Sequence, residues 1–336
     1  MNNQHKYIIL WLFTGCVLIY LMVFIGGLTR LTHSGLSMVE WTPTGSLPPM
    51  NDADWQVQFD KYKTSPEFKL VNNSFTLEDF KGIFWLEYIH RFLGRIIGVV
   101  FFLPFLYFWL AKKFPQGFLK KMVILLGIGS LQGLLGWFMV KSGLVNNPNV
   151  SHYRLAAHLI TAFTAFGFTF WYALDLLYPK PEATRDAKWK RIAYILLPAV
   201  VVQIIYGAFV AGLKAGYMYP TWPKMGPEWI PDSVINVRPI WQIFLESPQG
   251  VLFMHRGVAY LVFGLVVYLY YRSRSTPVTR VQKNITMSLL IIVCCQFLLG
   301  VLTVLYMMPL SIALIHQTGA LILFSAILFL IHRVQN

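Results

Sequence analysis

The sequence predicts an all-α integral membrane protein, with eight transmembrane helices forming two quasi-symmetric four-helix bundles by internal duplication. Three observations carry this. The chain is 56% hydrophobic with only 12% charged residues, outside the range of a soluble domain. It contains charge-free runs of the roughly 19 residues needed to cross a bilayer. It also matches itself: Glu87-Tyr88-Ile89-His90-Arg91 recurs as Leu252-Phe253-Met254-His255-Arg256, 165 positions later. Gly26, Gly35 and Trp41 correspond to Gly207, Gly216 and Trp222 at one constant offset. Gln132, Leu134, Leu135 and Gly136 correspond to Gln296, Leu298, Leu299 and Gly300 at another, and His158 faces His316 a little further on. Such self-similarity marks duplicated membrane folds.

In chain order, Ile8–Thr29 is the first span, followed by a long mixed-charge loop over about residues 31–86. The second span begins near His90 and takes in Ile96–Ala111; Met122–Val140 and Leu155–Leu174 are the third and fourth. Ile192–Leu213 is the fifth, and Gly257–Tyr271 reaches full length as the sixth if it starts near His255. No formal charge occurs from Ile285 to Ile331, enough for two spans broken at Met307-Met308-Pro309. The domains expected are residues 1–178, a linker over 179–191, and residues 192–336.

Basic residues orient the spans. Lys112, Lys113, Lys120 and Lys121 follow the second span; Lys180, Arg185, Lys188, Lys190 and Arg191 the fourth; Arg272, Arg274, Arg280 and Lys283 the sixth. With Lys6 and Arg333 they share one face, which the positive-inside rule assigns to the cytoplasm together with both termini. The net charge of +14 is then a topogenic signal and gives no reason to expect a nucleic-acid partner. Only about six polar residues precede the first span, without a cleavable signal or transit peptide, so the expected location is a bacterial inner membrane. Cys16, Cys294 and Cys295 all fall in apolar spans and read as packing residues, with no loop disulfide.

His90, His158, His255 and His316 each fall within roughly the first two turns of the second, fourth, sixth and eighth spans. They would share a depth near the outer surface of the hydrocarbon, where ionisable groups are costly and face a functional interior. Zinc takes three or four ligands, and each half offers two matched histidines. Haem iron needs one or two axial ligands, supplied in bundles from facing helices. Phe84, Phe92, Phe101, Phe163 and Phe166 suit a large apolar plate, and Gly94, Gly98, Gly129, Gly133 and Gly136 would allow close helix approach. Arg91, Arg95 and Arg256 stand at the level of haem propionates, or equally snorkel to the headgroups. His152 reads as a solvated loop residue, and His5, His33 and His332 carry little information.

The run Gly26-Gly27-Leu28-Thr29-Arg30-Leu31-Thr32-His33-Ser34-Gly35-Leu36-Ser37, followed by Glu40-Trp41, resembles the first-helix signature of the haem A synthase family. Glu87-Tyr88-Ile89-His90-Arg91 resembles its Glu-x-x-His-Arg motif, and the similarity extends from the first span to His316. The resemblance implies a membrane oxidoreductase that oxidises the C8 methyl group of haem O to a formyl group through an alcohol, giving haem A for terminal oxidases. It implies haem b in the C-terminal bundle, ligated by His255 and His316 with Arg256 beside it. The substrate haem would sit in the N-terminal bundle with His90, His158, Arg91 and Arg95. A haem O synthase, terminal oxidase assembly partners, membrane lipid and an unidentified electron acceptor are the implied partners. Some members carry a cysteine pair in the first outer loop, which residues 31–86 lack.

The residues themselves distinguish the halves. Glu87 precedes His90 by three positions, almost one helical turn, whereas its counterpart is Leu252. A carboxylate there could stabilise positive charge on an oxidised methyl carbon or accept a proton from water adding to it. Its blander reading is an interfacial ion-pair partner of Arg91. The alternative function is a bis-histidine di-haem cytochrome that moves electrons without altering its haem. A transporter is disfavoured, since mid-membrane charges beyond the histidines are lacking.

Overall fold

A computed structural model describes residues 5–40, 45, 47–144, 148–179, 186–275 and 277–334. Trp41 and residues 180–185 of the 179–191 linker, including Lys180 and Arg185, lie outside the described residues. Among the described residues, eight helices are long and apolar enough to cross a membrane. They are α1 (Lys6–Leu31), α4 (Leu77–Leu110), α5 (Phe118–Gly143), α6 (His152–Leu177), α7 (Ala187–Gly212), α10 (Pro248–Ser275), α11 (Arg280–Leu305) and α12 (Leu310–Val334). Shorter helices α2 (Asp52–Lys63) and α3 (Pro66–Leu70) fill the first long loop, and α8 (Asp232–Ile235) and α9 (Trp241–Leu245) the second.

Side-chain caps set several boundaries. Thr76 and Asp79 form a reciprocal capping box at the start of α4, and Thr279 and Gln282 form one at α11, satisfying backbone N–H groups that a helix start leaves open. Asp186 caps α7 through the amides of Lys188 and Trp189, and Arg272 bonds the same carboxylate at 2.7 Å. Burial alone would raise the Asp186 pKa; Arg272 and the two amides outweigh it, and the net direction is down.

The helix α4 is a correction to the expected loop of residues 31–86. It starts at Leu77, ten residues before Glu87, so His90 stands well inside a 34-residue helix and not in its first two turns. Glu78, Asp79, Lys81 and Glu87 make this stretch look like loop in the sequence, but α2 packs on it, and α3 on α2. Trp55, Phe59, Tyr62, Phe80 and Phe84 form a buried aromatic cap with Met38. The Trp55 and Phe84 rings meet edge-on at 5.1 Å and Tyr62 stacks on Phe80 at 5.1 Å, each such pair contributing about 0.5–1.5 kcal/mol beyond area burial.

Packing divides the chain into two units, Thr14–Phe166 and Met1–Phe13 with Gly167–Asn336. The division cuts α1 after Phe13 and α6 after Phe166. In the second unit α7, α10, α11 and α12 form the core: α10 packs on α7 and α11, and α12 on α11 and α7. His332, expected to be uninformative, is buried there; its Nε2 lies 3.1 Å from Asp175 Oδ1.

Candidate functional site

In the first unit His90 on α4 and His158 on α6 interact electrostatically with each other. Each ring rests against a glycine of another helix. A Cβ on Gly26 of α1 would lie 3.1 Å from His90 Nε2, and one on Gly136 of α5 would lie 3.0 Å from His158 Cε1. The second unit repeats the pattern. His255 on α10 and His316 on α12 interact electrostatically; a Cβ on Gly207 of α7 would lie 3.4 Å from His255 Cε1, and one on Gly300 of α11 2.9 Å from His316 Cε1. The glycines that the sequence pairs by offset thus face the histidines that it pairs.

Glutamines complete each site. Gln132 Nε2 is 3.4 Å from His158 Nε2, and Gln203 Nε2 is 3.2 Å from His255 Nδ1. Gln296 donates instead to the His316 carbonyl at 2.8 Å. The Nδ1 atoms of His158 and His316 are buried without a hydrogen-bond partner, a costly arrangement for a polar atom. In each pair one imidazole has an orphaned ring nitrogen and both rings lie against glycines, which fits a group that takes two axial ligands. No cluster of three or more His, Cys, Asp or Glu able to hold a metal occurs among the described residues.

The carboxylate and arginines are tightly engaged. Glu87 is 2% exposed. Its Oε2 accepts from Ser37 Oγ at 2.6 Å and from the Met38 amide at 2.9 Å, and its Oε1 accepts from Arg91 Nη2 at 2.6 Å. Arg91 also donates to the carbonyls of Met38 at 3.0 Å and Glu40 at 2.9 Å. Arg256 does the same in the other unit, donating to Tyr219 O at 2.9 Å and Lys224 O at 3.2 Å. Met38 and Tyr219 are related by the offset that relates Gly26 to Gly207, as are His33 and Lys214, both left-handed with φ of 54° and 53°. The principal contacts of Arg91 and Arg256 therefore latch the segment that follows a helix onto α4 or α10. The Arg95 guanidinium packs against Gly45.

Several other sequence expectations change. Cys294 and Cys295 are both exposed on α11, and only Cys16 is buried. Gly98, Gly129 and Gly133 would meet nothing within 4 Å, so close contact is confined to Gly94, against Met22, and Gly136. Phe163 and Phe166 are buried, Phe92 is 49% exposed, and Phe84 belongs to the aromatic cap. His152 is buried at the start of α6, not solvated. Ser37 and Gln203 were not picked out from the sequence; Ser37 lies within the Gly26–Ser37 signature and Gln203 one turn before Gly207. A cavity of about 350 Å³ lined by Val39, Thr64, Ser65, Pro66, Lys69, Leu70 and Leu144 includes none of the four histidines.

Comparison with known proteins adds independent findings. The family described as "Cytochrome oxidase assembly protein" matches residues 9–328. A protein of Flavobacterium johnsoniae named "Heme A synthase" is 47% identical over 341 residues, covering all of both chains. One of the same name from Flavobacterium psychrophilum is 48% identical, covering 99% of this chain and all of its own. Another, from Paracoccus denitrificans, is 42% identical, covering 97% of this chain and 87% of its own.

Proposed function

The chain belongs to the cytochrome oxidase assembly protein family, and on that premise we propose that it oxidises the C8 methyl group of haem O to a formyl group, through an alcohol, yielding haem A for terminal oxidases. His90 and His158 hold the substrate haem in the N-terminal bundle, residues 1–178. His255 and His316 hold haem b in the C-terminal bundle, residues 192–336, where that group supplies one-electron transfer. The parallel latches of Arg91 and Arg256, and the four histidine–glycine contacts, support the reading of a duplicated fold. The lysine- and arginine-rich loops support a bacterial inner-membrane location with both termini cytoplasmic.

The observation that carries the assignment is the environment of Glu87. The latch alone does not call for a carboxylate, because Arg256 holds Tyr219 and Lys224 with Leu252 at the equivalent position. Glu87 therefore has work beyond holding the loop. A carboxylate offers about four acceptor sites, and Ser37, Met38 and Arg91 occupy three. The fourth can meet a water or the reacting carbon. There Glu87 stabilises positive charge developing on the oxidised methyl carbon and accepts the proton of adding water. Arg91, Arg95 and Arg256 serve the haem carboxylates only through donors that their loop contacts leave over.

The test is extraction and chromatography of the haems from purified protein. Haem O, its alcohol or haem A is expected beside haem b, and His255→Ala and His316→Ala are expected to lose haem b. Haem b alone in both sites of the wild type would mean an electron-carrying di-haem cytochrome.

A further inference from the structure

We propose that Ser37 is a positioning residue for the oxidation, fixing the orientation of the Glu87 carboxylate; this rests on the reading that Glu87 acts at the substrate haem. The terminal torsion of a glutamate is broad and roughly two-fold, so a buried carboxylate needs partners to select one orientation. On Glu87 these partners are split by atom. Arg91, one turn along α4, takes Oε1, while two consecutive residues of the segment after α1, Ser37 and Met38, converge on Oε2.

Ser37 is 2% exposed and has a single hydroxyl hydrogen. Three acceptors are within its reach: Glu87 Oε2 at 2.6 Å, Ser34 O at 3.3 Å and Ile83 O at 3.4 Å. The short, charge-assisted bond to Glu87 is the strongest of the three. Neighbouring hydroxyls do not share this task. Thr29 donates to Ile25 O at 2.8 Å, and Thr32 donates to Leu28 O and lies 2.7 Å from Ser34 Oγ. Of these four hydroxyls, Ser37 is the one that bonds the carboxylate.

The other unit supplies the control. At the offset relating Gly26 to Gly207, Thr29, Thr32, Ser34 and Ser37 become Val210, Leu213, Ala215 and Met218, and Glu87 becomes Leu252. Val210, Leu213, Ala215 and Leu252 pack together in one apolar cluster with Met225. The arginine latch onto Tyr219 persists there. Hydroxyl and carboxylate are thus lost together while the loop keeps its anchor. The Ser37 hydroxyl accompanies the carboxylate, not the loop fold.

The experiment compares Ser37→Ala, Ser37→Thr and Glu87→Gln in purified full-length protein supplied with haem O. Ser37→Ala is expected to lower kcat on the order of tenfold, the effect of losing one hydrogen bond to a charged group, at unchanged KM and haem b content. Ser37→Thr, which keeps the hydroxyl, restores most of the rate. A readout independent of turnover is the infrared carboxylate stretch that disappears in Glu87→Gln. It shifts in Ser37→Ala and returns in Ser37→Thr. Wild-type kcat and an unshifted band in Ser37→Ala overturn the proposal, as does loss of haem b in both serine variants, which makes Ser37 a folding residue. If Glu87→Gln itself forms haem A normally, the reading of Glu87 falls instead.

Discussion

Gly300 stands so close to His316 that a Cβ at residue 300 would lie 2.9 Å from the ring carbon Cε1. Real side chains do not approach this closely, so any larger residue must push the imidazole aside. Gly207 faces His255 more loosely: a Cβ there would lie 3.4 Å from His255 Cε1, an ordinary contact distance. Gly300→Ala is therefore expected to weaken haem binding at this site and Gly207→Ala to leave it nearly unchanged. Alanine is favoured over glycine in a helix by about 1 kcal/mol, so a loss in Gly300→Ala cannot come from the backbone. The haem-to-protein absorbance ratio of the two purified variants checks this; equal retention would show that the glycine contact does not set the ligand position.

A second expectation concerns pH and the cap over α4. Burial pushes the Glu67 carboxyl up to about 7; the Tyr62 hydrogen bond opposes this, and the Glu87 charge adds to it. Its folded pKa is thus above its ordinary value, and the folded cap binds the proton more tightly than the unfolded chain does. Stability is then fully present at low pH and falls as pH rises toward and through about 7. The hydrogen-exchange protection factors of residues 52–72, each rate compared with the intrinsic rate at the same pH, should be higher at pH 6 than at pH 8. Glu67→Gln should remove that difference. A variant that keeps the full pH dependence would assign it to another group.

The spans and the pairing of the four histidines were legible because bilayer crossing demands long apolar runs and the motif around His90 recurs around His255 in the sequence. The latches were not, because Arg91 and Arg256 bond backbone carbonyls of Met38, Glu40, Tyr219 and Lys224, and a carbonyl acceptor has no signature in the residue type. The long start of α4 was hidden by its charges, although Thr76-x-x-Asp79 is a readable capping box. Cys294 and Cys295 misled because an apolar span can present an apolar residue to lipid as readily as to a core.

Topology offers a third check. Reporter fusions after Lys113 and Arg274 are expected to report cytoplasm, and fusions within residues 50–75 the outer face, since lysine and arginine accumulate in the former segments. An outer location after Arg274 would put α10 and α12 in the opposite orientation and separate the two histidine pairs in depth.

The last expectation separates an enzyme from an electron carrier. Glu87 and Arg91 form a nearly buried pair one turn apart, with side-chain exposures of 3% and 9%. If the pair were only structural, Glu87→Gln would loosen the loop after α1 and cost folding, because breaking a buried pair leaves a charge without its partner. Yet Arg91 keeps two carbonyl acceptors, on Met38 and Glu40, the same kind of anchor that Arg256 uses alone. The neutral isostere is therefore expected to insert into the membrane and to bind haem b through His255 and His316. It should lose turnover on the order of 10²–10³, the effect of removing one preorganised electrostatic group. Cells carrying it in place of the wild type should accumulate haem O or its alcohol, with a large fall in haem A. Near-normal haem A in that strain would leave Glu87 as the partner of Arg91 and nothing more.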